Sequence, residues 1–138
     1  MRALVQRVRS ARVHVDSRKV SQIGPGLLVL LGVTHDDGPT QADRLAQKVI
    51  ALRIFDDDQG RMNDPLGERE ILCVSQFTLY ADTAKGNRPS YATAAAATHA
   101  EPLYERFCER TNARRGVFGA HMQVELVNDG PVTLLLEA

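Results

Sequence analysis

Leu27-Leu28-Val29-Leu30-Leu31-Gly32-Val33 is the longest uninterrupted apolar run of the chain. Gly24-Pro25-Gly26 precedes it and Asp36-Asp37-Gly38-Pro39 follows it. Both flanks are strong breakers of regular structure. A membrane-spanning helix needs about 20 apolar residues, so the run is far too short for one. A short apolar run between breakers instead predicts a central strand covered on both faces.

The pattern extends outward from this strand. On the N-terminal side, Val5 to Val15 alternates, with Val13 and Val15 set against Arg12, His14 and Asp16. That is the period of a half-exposed strand. Ser17-Arg18-Lys19 reads as a turn and Val20 to Ile23 as a return strand. On the C-terminal side, Thr40 is placed to cap a helix from Gln41 to about Leu52, with Leu45, Val49 and Leu52 on one face. Arg53-Ile54-Phe55 extends as a short strand, closed by the turn Asp56-Asp57-Asp58-Gln59-Gly60, and Asn63 to Gly67 is loop. Ile71 to Tyr80 reads as a second long apolar strand, and Lys85-Gly86-Asn87-Arg88-Pro89 as a basic loop. Ser90 opens a helical region that Pro102 is expected to divide into two helices, the second ending near Asn112. Met122 to Val127 and Val132 to Leu136 are two final strands joined by Asn128-Asp129-Gly130-Pro131. The expectation is one α+β domain over residues 1–138. It is sheet-rich, with barrel-like antiparallel or mixed β-sheets and helices packed on them.

Composition excludes several classes of function. Lys plus Arg and Asp plus Glu number 17 each, so the formal charge is zero. Broad non-specific nucleic-acid binding depends on excess positive charge, which is absent, although a local basic patch is allowed. Cys73 and Cys108 read as free thiols of a reducing compartment, and the charged start of the chain does not resemble a signal peptide. A cytoplasmic location is expected. His14, His35, His99 and His121 share no ligand spacing with each other or with the cysteines, so neither a metal nor a cofactor is expected. Asp56-Asp57-Asp58 reads as an Asp-rich turn, and no glycine-rich phosphate loop or Gly-x-Ser-x-Gly elbow is present.

Two segments remain. Val74-Ser75-Gln76-Phe77-Thr78-Leu79 places hydroxyl and amide side chains on an otherwise apolar strand. As a strand it sets Ser75 and Phe77 on one face and Gln76 and Thr78 on the other. Such residues also suit a strand end facing water. Thr78 as a nucleophile would need a general base, and the sequence offers none. Asn128-Asp129-Gly130-Pro131 suits a tight hairpin turn, or a turn with a cis Gly-Pro bond, which is the minority state for X-Pro.

These two segments resemble the signature motifs of the D-aminoacyl-tRNA deacylases. The resemblance runs nearly end to end. It includes Met1 to Val8, Ile23 to Val33, Leu52-Arg53-Ile54-Phe55, Met62-Asn63, Lys85 to Tyr91 and Phe118-Gly119-Ala120-His121-Met122. The loop from Asp64 to Arg69 is shorter than the family's usual pattern. The resemblance implies a homodimer with an active site at each subunit interface. Ser75, Gln76, Phe77 and Thr78 would form the catalytic pocket, with the Gln76 and Phe77 N–H groups as oxyanion donors. Gly130 and Pro131 would enter the pocket from the partner as a cis wall that rejects L-aminoacyl esters. Phe118, Gly119 and Met122 would hold the terminal adenosine, and Arg7 would brace the Gly-Pro turn. Lys85, Arg88, Arg114 and Arg115 would be available to tRNA phosphates. The implied reaction is hydrolysis of D-aminoacyl-tRNA, with glycyl-tRNA also at risk, in translation quality control.

Other readings stay open on the residues alone. One is an ester hydrolase with Thr78 as covalent nucleophile. Another is a non-catalytic RNA-binding module using the basic loop, and a third is a dimeric structural protein with no site.

Overall fold

The computed structural model describes residues 1–138. The apolar run forms β3 (Gly26–Gly32), buried along almost its whole length, at the centre of a mixed sheet. β1 (Arg2–Val15) pairs antiparallel with β3 through Arg2 to Val8. It then passes on to pair with β2 (Arg18–Ile23) through Ala11 to Val15. The β1–β2 turn lies at Asp16-Ser17, both with positive φ, one residue before the predicted position. On the other side of β3 lie β6 (Glu70–Ser75) and β7 (Arg114–Arg115), both parallel. The sheet curls until it is nearly closed. β4 (Phe55–Asp56) and β5 (Met62–Asp64) form a separate small hairpin. Strand therefore occupies part of what the sequence suggested was loop.

Two helices cover one face. α1 (Pro39–Ala51) starts at Gly38, not at Thr40. Pro39 fits the first helical position because no N–H is needed there. The Gln41 side chain reaches back to accept from the Gly38 N–H at 2.9 Å. α2 (Ala97–Thr111) is a single helix, and Pro102 lies inside it. The predicted break fails for two reasons. The proline sits near the N-terminal end, where it removes one early hydrogen bond. The face formed by Ala100, Leu103, Tyr104, Phe107 and Cys108 is buried continuously across it. Residues from Ser90 to Ala96 are irregular rather than helical. Asp43 of α1 accepts two hydrogen bonds from Arg106 of α2 at 2.7 Å each. These contacts hold its carboxyl below the usual range.

Alternation in β1 divides the interior. Ala3 and Val5 join Leu27, Val29, Leu31, Ile71 and Cys73 in the core beneath the helices. Val8, Ala11 and Val13 join Ile23, Leu28, Leu72 and Val74 in a second cluster inside the curl. Burial pushes the Cys73 thiol well above its ordinary range, so it stays neutral. No helix is long and apolar enough to cross a membrane.

The final segment differs most from the expectation. Gln123 to Glu137 is one strand, β8, rather than two strands joined by a hairpin turn. Both halves pair antiparallel with β1, at Gln6↔Thr133 on one side and Val8↔Asn128 on the other. Arg7 alone therefore faces Asp129-Gly130-Pro131-Val132, which must bulge out of the ladder. A hairpin would need the halves to pair with each other. β1 is long enough to take both, so the Gly-Pro element becomes a protrusion on an edge strand.

The parallel β3–β6 pairing depends on close backbone approach at Gly26. A Cβ there would lie 1.9 Å from the Glu70 carbonyl oxygen, which is immovable backbone. Gly26→Ala should lower unfolding stability by at least about 2 kcal/mol, toward the upper end of overpacking costs. Urea denaturation checks this, and an unchanged midpoint would refute the packing argument.

Candidate active site

The site begins where β6 stops. Ser75 is the last strand residue, and Gln76 donates its N–H to the Leu31 carbonyl at 2.8 Å. The chain then turns into a 3-10 helix, Phe77–Tyr80. The predicted strand to Tyr80, and with it the two-face arrangement of Ser75 to Thr78, does not form. Packing explains the change. Gly32 at the end of β3 has no side chain, so the turn can close over it. A Cβ there would lie 3.1 Å from the Gln76 carbonyl oxygen and 3.2 Å from Leu79 and Tyr80. Arg2 fixes the turn from below, donating to the Leu79 carbonyl at 2.9 Å with its guanidinium over the Tyr80 ring. Burial is the main cause that pushes the Tyr80 phenol up to about 12.

This turn redistributes the available donors. The Gln76 N–H is already committed to Leu31, so it is not a free oxyanion donor as expected. Phe77 and Thr78 open the 3-10 helix, and the first N–H groups of a helix have no partner within it. The Gln76 side-chain amide donates to Thr78 Oγ1. The Thr78 hydroxyl is thus beside an amide rather than a base.

A cavity of about 520 Å³ lies against this turn. That volume falls in the usual range of about 300–1,000 Å³ for small organic ligands. Ser75, Gln76 and Phe77 line one side, and Phe118, Gly119 and Met122 another. Val74, Ala95 and Val124 add apolar wall, and His121 is the one ionisable side chain in the lining. By its own chemistry His121 stands in the sequence only as a possible metal ligand. Its place inside Phe118 to Met122 was the signal that it belongs here. No group of three or more His, Cys, Asp or Glu side chains is placed to hold a metal.

The loop carrying Phe118 is anchored from the core. The Cys73 carbonyl accepts from both the Tyr104 hydroxyl, at 2.9 Å, and the Gly116 N–H, at 3.1 Å. The Tyr104 ring packs against Phe118 at 5.7 Å between centroids. Desolvation pushes the Tyr104 phenol far up, so it remains a neutral donor. Gly119 has φ +75°, a left-handed conformation that suits glycine.

Thr78, Arg7, Gly130 and Pro131 do not line this cavity. Arg7 and the Gly-Pro element form a separate constellation at the β8 bulge. Gly130 and Pro131 are exposed and their peptide bond is cis. Arg7 is buried. It donates from Nε to the Asp129 carbonyl at 2.9 Å and from Nη1 to the Ile54 carbonyl at 2.8 Å. Asp56 and Asp129 carboxylates lie 3.6 and 3.7 Å from the same guanidinium. Asn128 closes the base of the bulge, donating to the carbonyls of Arg7 at 2.9 Å and Val132 at 3.1 Å. The sequence places Asn128 in the turn and in its signature segment but shows no role for its side chain.

Residues 4–137 match the model of the D-Tyr-tRNA(Tyr) deacylase family. The chain belongs to that family. It is a hydrolase acting on a carboxylic ester bond. It is 54% identical to a D-aminoacyl-tRNA deacylase of Thermosipho africanus, over 100% of this chain and 97% of that protein. It is 52% identical to one of Symbiobacterium thermophilum, over 100% and 96%. Among solved structures it superposes with TM-score 0.94 on a c-Myc DNA unwinding element binding protein. That protein is 40% identical, with coverage of 100% and 99%. A probable eukaryotic D-amino acid tRNA deacylase shares the fold at TM-score 0.85 and 17% identity, covering 99% and 98%.

Asn128 holds the bulge closed through two backbone carbonyls. Asn128→Ala should cost about 1–3 kcal/mol, the penalty for leaving such groups unpaired. Hydrogen exchange at Val8, Asn128 and Thr133, the ladder residues flanking the bulge, should quicken more than at Val5 or Val29. Uniform exchange would show that Asn128 does not hold the bulge.

Proposed function

We propose that this enzyme hydrolyses D-aminoacyl-tRNA to free D-amino acid and tRNA, with the terminal adenosine seated in the apolar cavity. The observation that carries this reading is the position of that cavity. It is lined by Ser75 to Phe77 and opens beside the unpaired N–H groups that start the 3-10 helix. Phe118 and Met122 supply an apolar slot for a purine ring.

Water attacks the ester carbonyl carbon, and the carbonyl oxygen becomes an oxyanion. The Phe77 N–H, at the cavity wall, is the donor assigned to it in this reading, with the Thr78 N–H next along the turn as a second. Each such fixed donor contributes about 3–4 kcal/mol at a developing oxyanion. Collapse expels the ribose 3′-oxygen, which takes a proton. The neighbouring 2′-hydroxyl of the substrate orients the water, so no protein base is needed. This fits a cavity whose ionisable lining is His121 alone.

The chain's own Gly130 and Pro131 lie outside its cavity, exposed on edge strand β8. Val127 and Leu135 of the same strand are 52% and 54% exposed. An apolar edge strand with a rigid protrusion favours pairing with another chain. In our reading two copies associate with two-fold symmetry, and the bulge of each completes the other's site. The Asp129-Gly130-Pro131 backbone then stands close to the substrate α-carbon. It leaves room there for hydrogen but not for an L side chain, and glycyl-tRNA also passes. A cytoplasmic role in translation quality control follows from that substrate.

The direct test measures amino-acid release from D- and L-tyrosyl-tRNA. Release from the D ester alone is expected, and equal rates would refute the chiral wall. Thr78→Ala keeps the backbone donor and removes only the hydroxyl. Its kcat/KM should stay within about tenfold of wild type, a change of about 1.4 kcal/mol or less. Loss to background, with sedimentation unchanged, would mean that Thr78 itself attacks.

A further inference from the structure

The mouth of the cavity carries an aromatic pair that ester hydrolysis does not use. Phe77 is 55% exposed and Tyr91 is 40% exposed. Their rings meet edge to face, with centroids 5.0 Å apart and planes at 71°. Phe77 also lines the cavity, so the pair adjoins it directly.

Tyr91 stands at the foot of a built loop. Asp82 and Ser90 close that loop with reciprocal backbone hydrogen bonds of 2.8 and 2.9 Å. The following residues are tied to the body of the protein. Thr34 Oγ1 donates to the Thr93 carbonyl at 2.5 Å, and His35 Nε2 to the Ala92 carbonyl at 2.7 Å. Inside the loop, the Asp82 carboxylate turns back to accept from the Ala84 N–H. Lys85 and Arg88 are exposed and take part in none of the ion pairs of the structure. In a chain with no net charge, two unpaired cations in the loop that closes next to Tyr91 form a local feature, not part of a generally basic surface.

We propose that the Phe77–Tyr91 pair is a stacking platform for the RNA base next to the terminal adenosine, and that Lys85 and Arg88 receive the adjoining phosphates. The inference rests on the reading of the cavity as the adenosine site. Every base has a π-face, so an aromatic ring receives an unpaired base without regard to sequence. An edge-to-face contact uses one face of one ring at most, so both rings, 55% and 40% exposed, keep a ring face for a base. The flanking cations match a polyanionic strand better than a second neutral copy of this chain.

The test compares two substrates, D-tyrosyl-tRNA and D-tyrosyl-adenosine, the nucleoside ester that lacks the neighbouring nucleotide. Tyr91→Ala should lower kcat/KM on the tRNA about tenfold, within the span measured for lost base stacking. The loss should fall mainly in KM, and activity on the nucleoside ester should be unchanged. Tyr91→Phe should restore the tRNA value. Lys85→Ala with Arg88→Ala should flatten the salt dependence of KM for the tRNA alone. Equal losses on both substrates would show that Tyr91 only supports the 3-10 helix, and no loss on either would show that the pair contacts nothing. Altered sedimentation of Tyr91→Ala would make the pair an interface between copies. Each of these overturns the platform. Failure of the wild type to cleave either ester would instead overturn the adenosine-site reading, and the platform with it.

Discussion

The Gln76 N–H donates to the Leu31 carbonyl across 2.8 Å, the last rung where β6 runs beside β3. Up to that rung the backbone is committed to the sheet. Beyond it the chain turns over Gly32 into the 3-10 helix, and its next N–H groups have no ladder to join. The same rung sets Ser75 and Gln76 at the cavity wall. It also places Phe77 at the mouth, where it meets Tyr91. If the β3–β6 register moved, the donors, the wall and the aromatic mouth would all move with it.

The cavity is apolar on most sides and rests on a neutral core. Tyr104 and Cys73 lie beneath the Phe118 loop, and burial keeps both uncharged. Apolar walls strengthen a fixed dipole aimed into the cavity, because they screen it less than a polar surface would. Backbone donors are well suited to such a place. They carry no ionisable proton and need no partner to hold a charge state. Chemistry of the proposed kind is therefore difficult to find by searching for unusual titratable groups.

The β8 bulge depends on a different constraint. β1 offers a continuous edge, and β8 follows it on both sides of Arg7 with a mismatch in register. Excess chain has to leave the ladder. Arg7 and Asn128 then satisfy the carbonyls that the bulge exposes. A buried guanidinium is costly unless its donors are used, and Ile54 and Asp129 use them.

Elements with a local signal are legible in the residues. The apolar run from Leu27 to Val33, the alternation of Val5 to Val15 and the amphipathic face of α1 can be read from residues and breakers alone, because burial there follows period and composition. The quoted motifs also named Ser75, Gln76, Phe77, Phe118, Gly119 and Met122, which the fold brings to one cavity. Long-range contacts settle the rest. Ile71 to Tyr80 reads as one strand until Gly32 allows the chain to close over β3. Ser90 to Asn112 reads as two helices until a continuous core face carries Pro102 inside one. Asn128 to Pro131 reads as a hairpin turn until β1 pairs with both flanks. In each case the deciding contact is made by residues distant in sequence. Backbone hydrogen bonds to such partners leave no periodic mark on the segment that makes them.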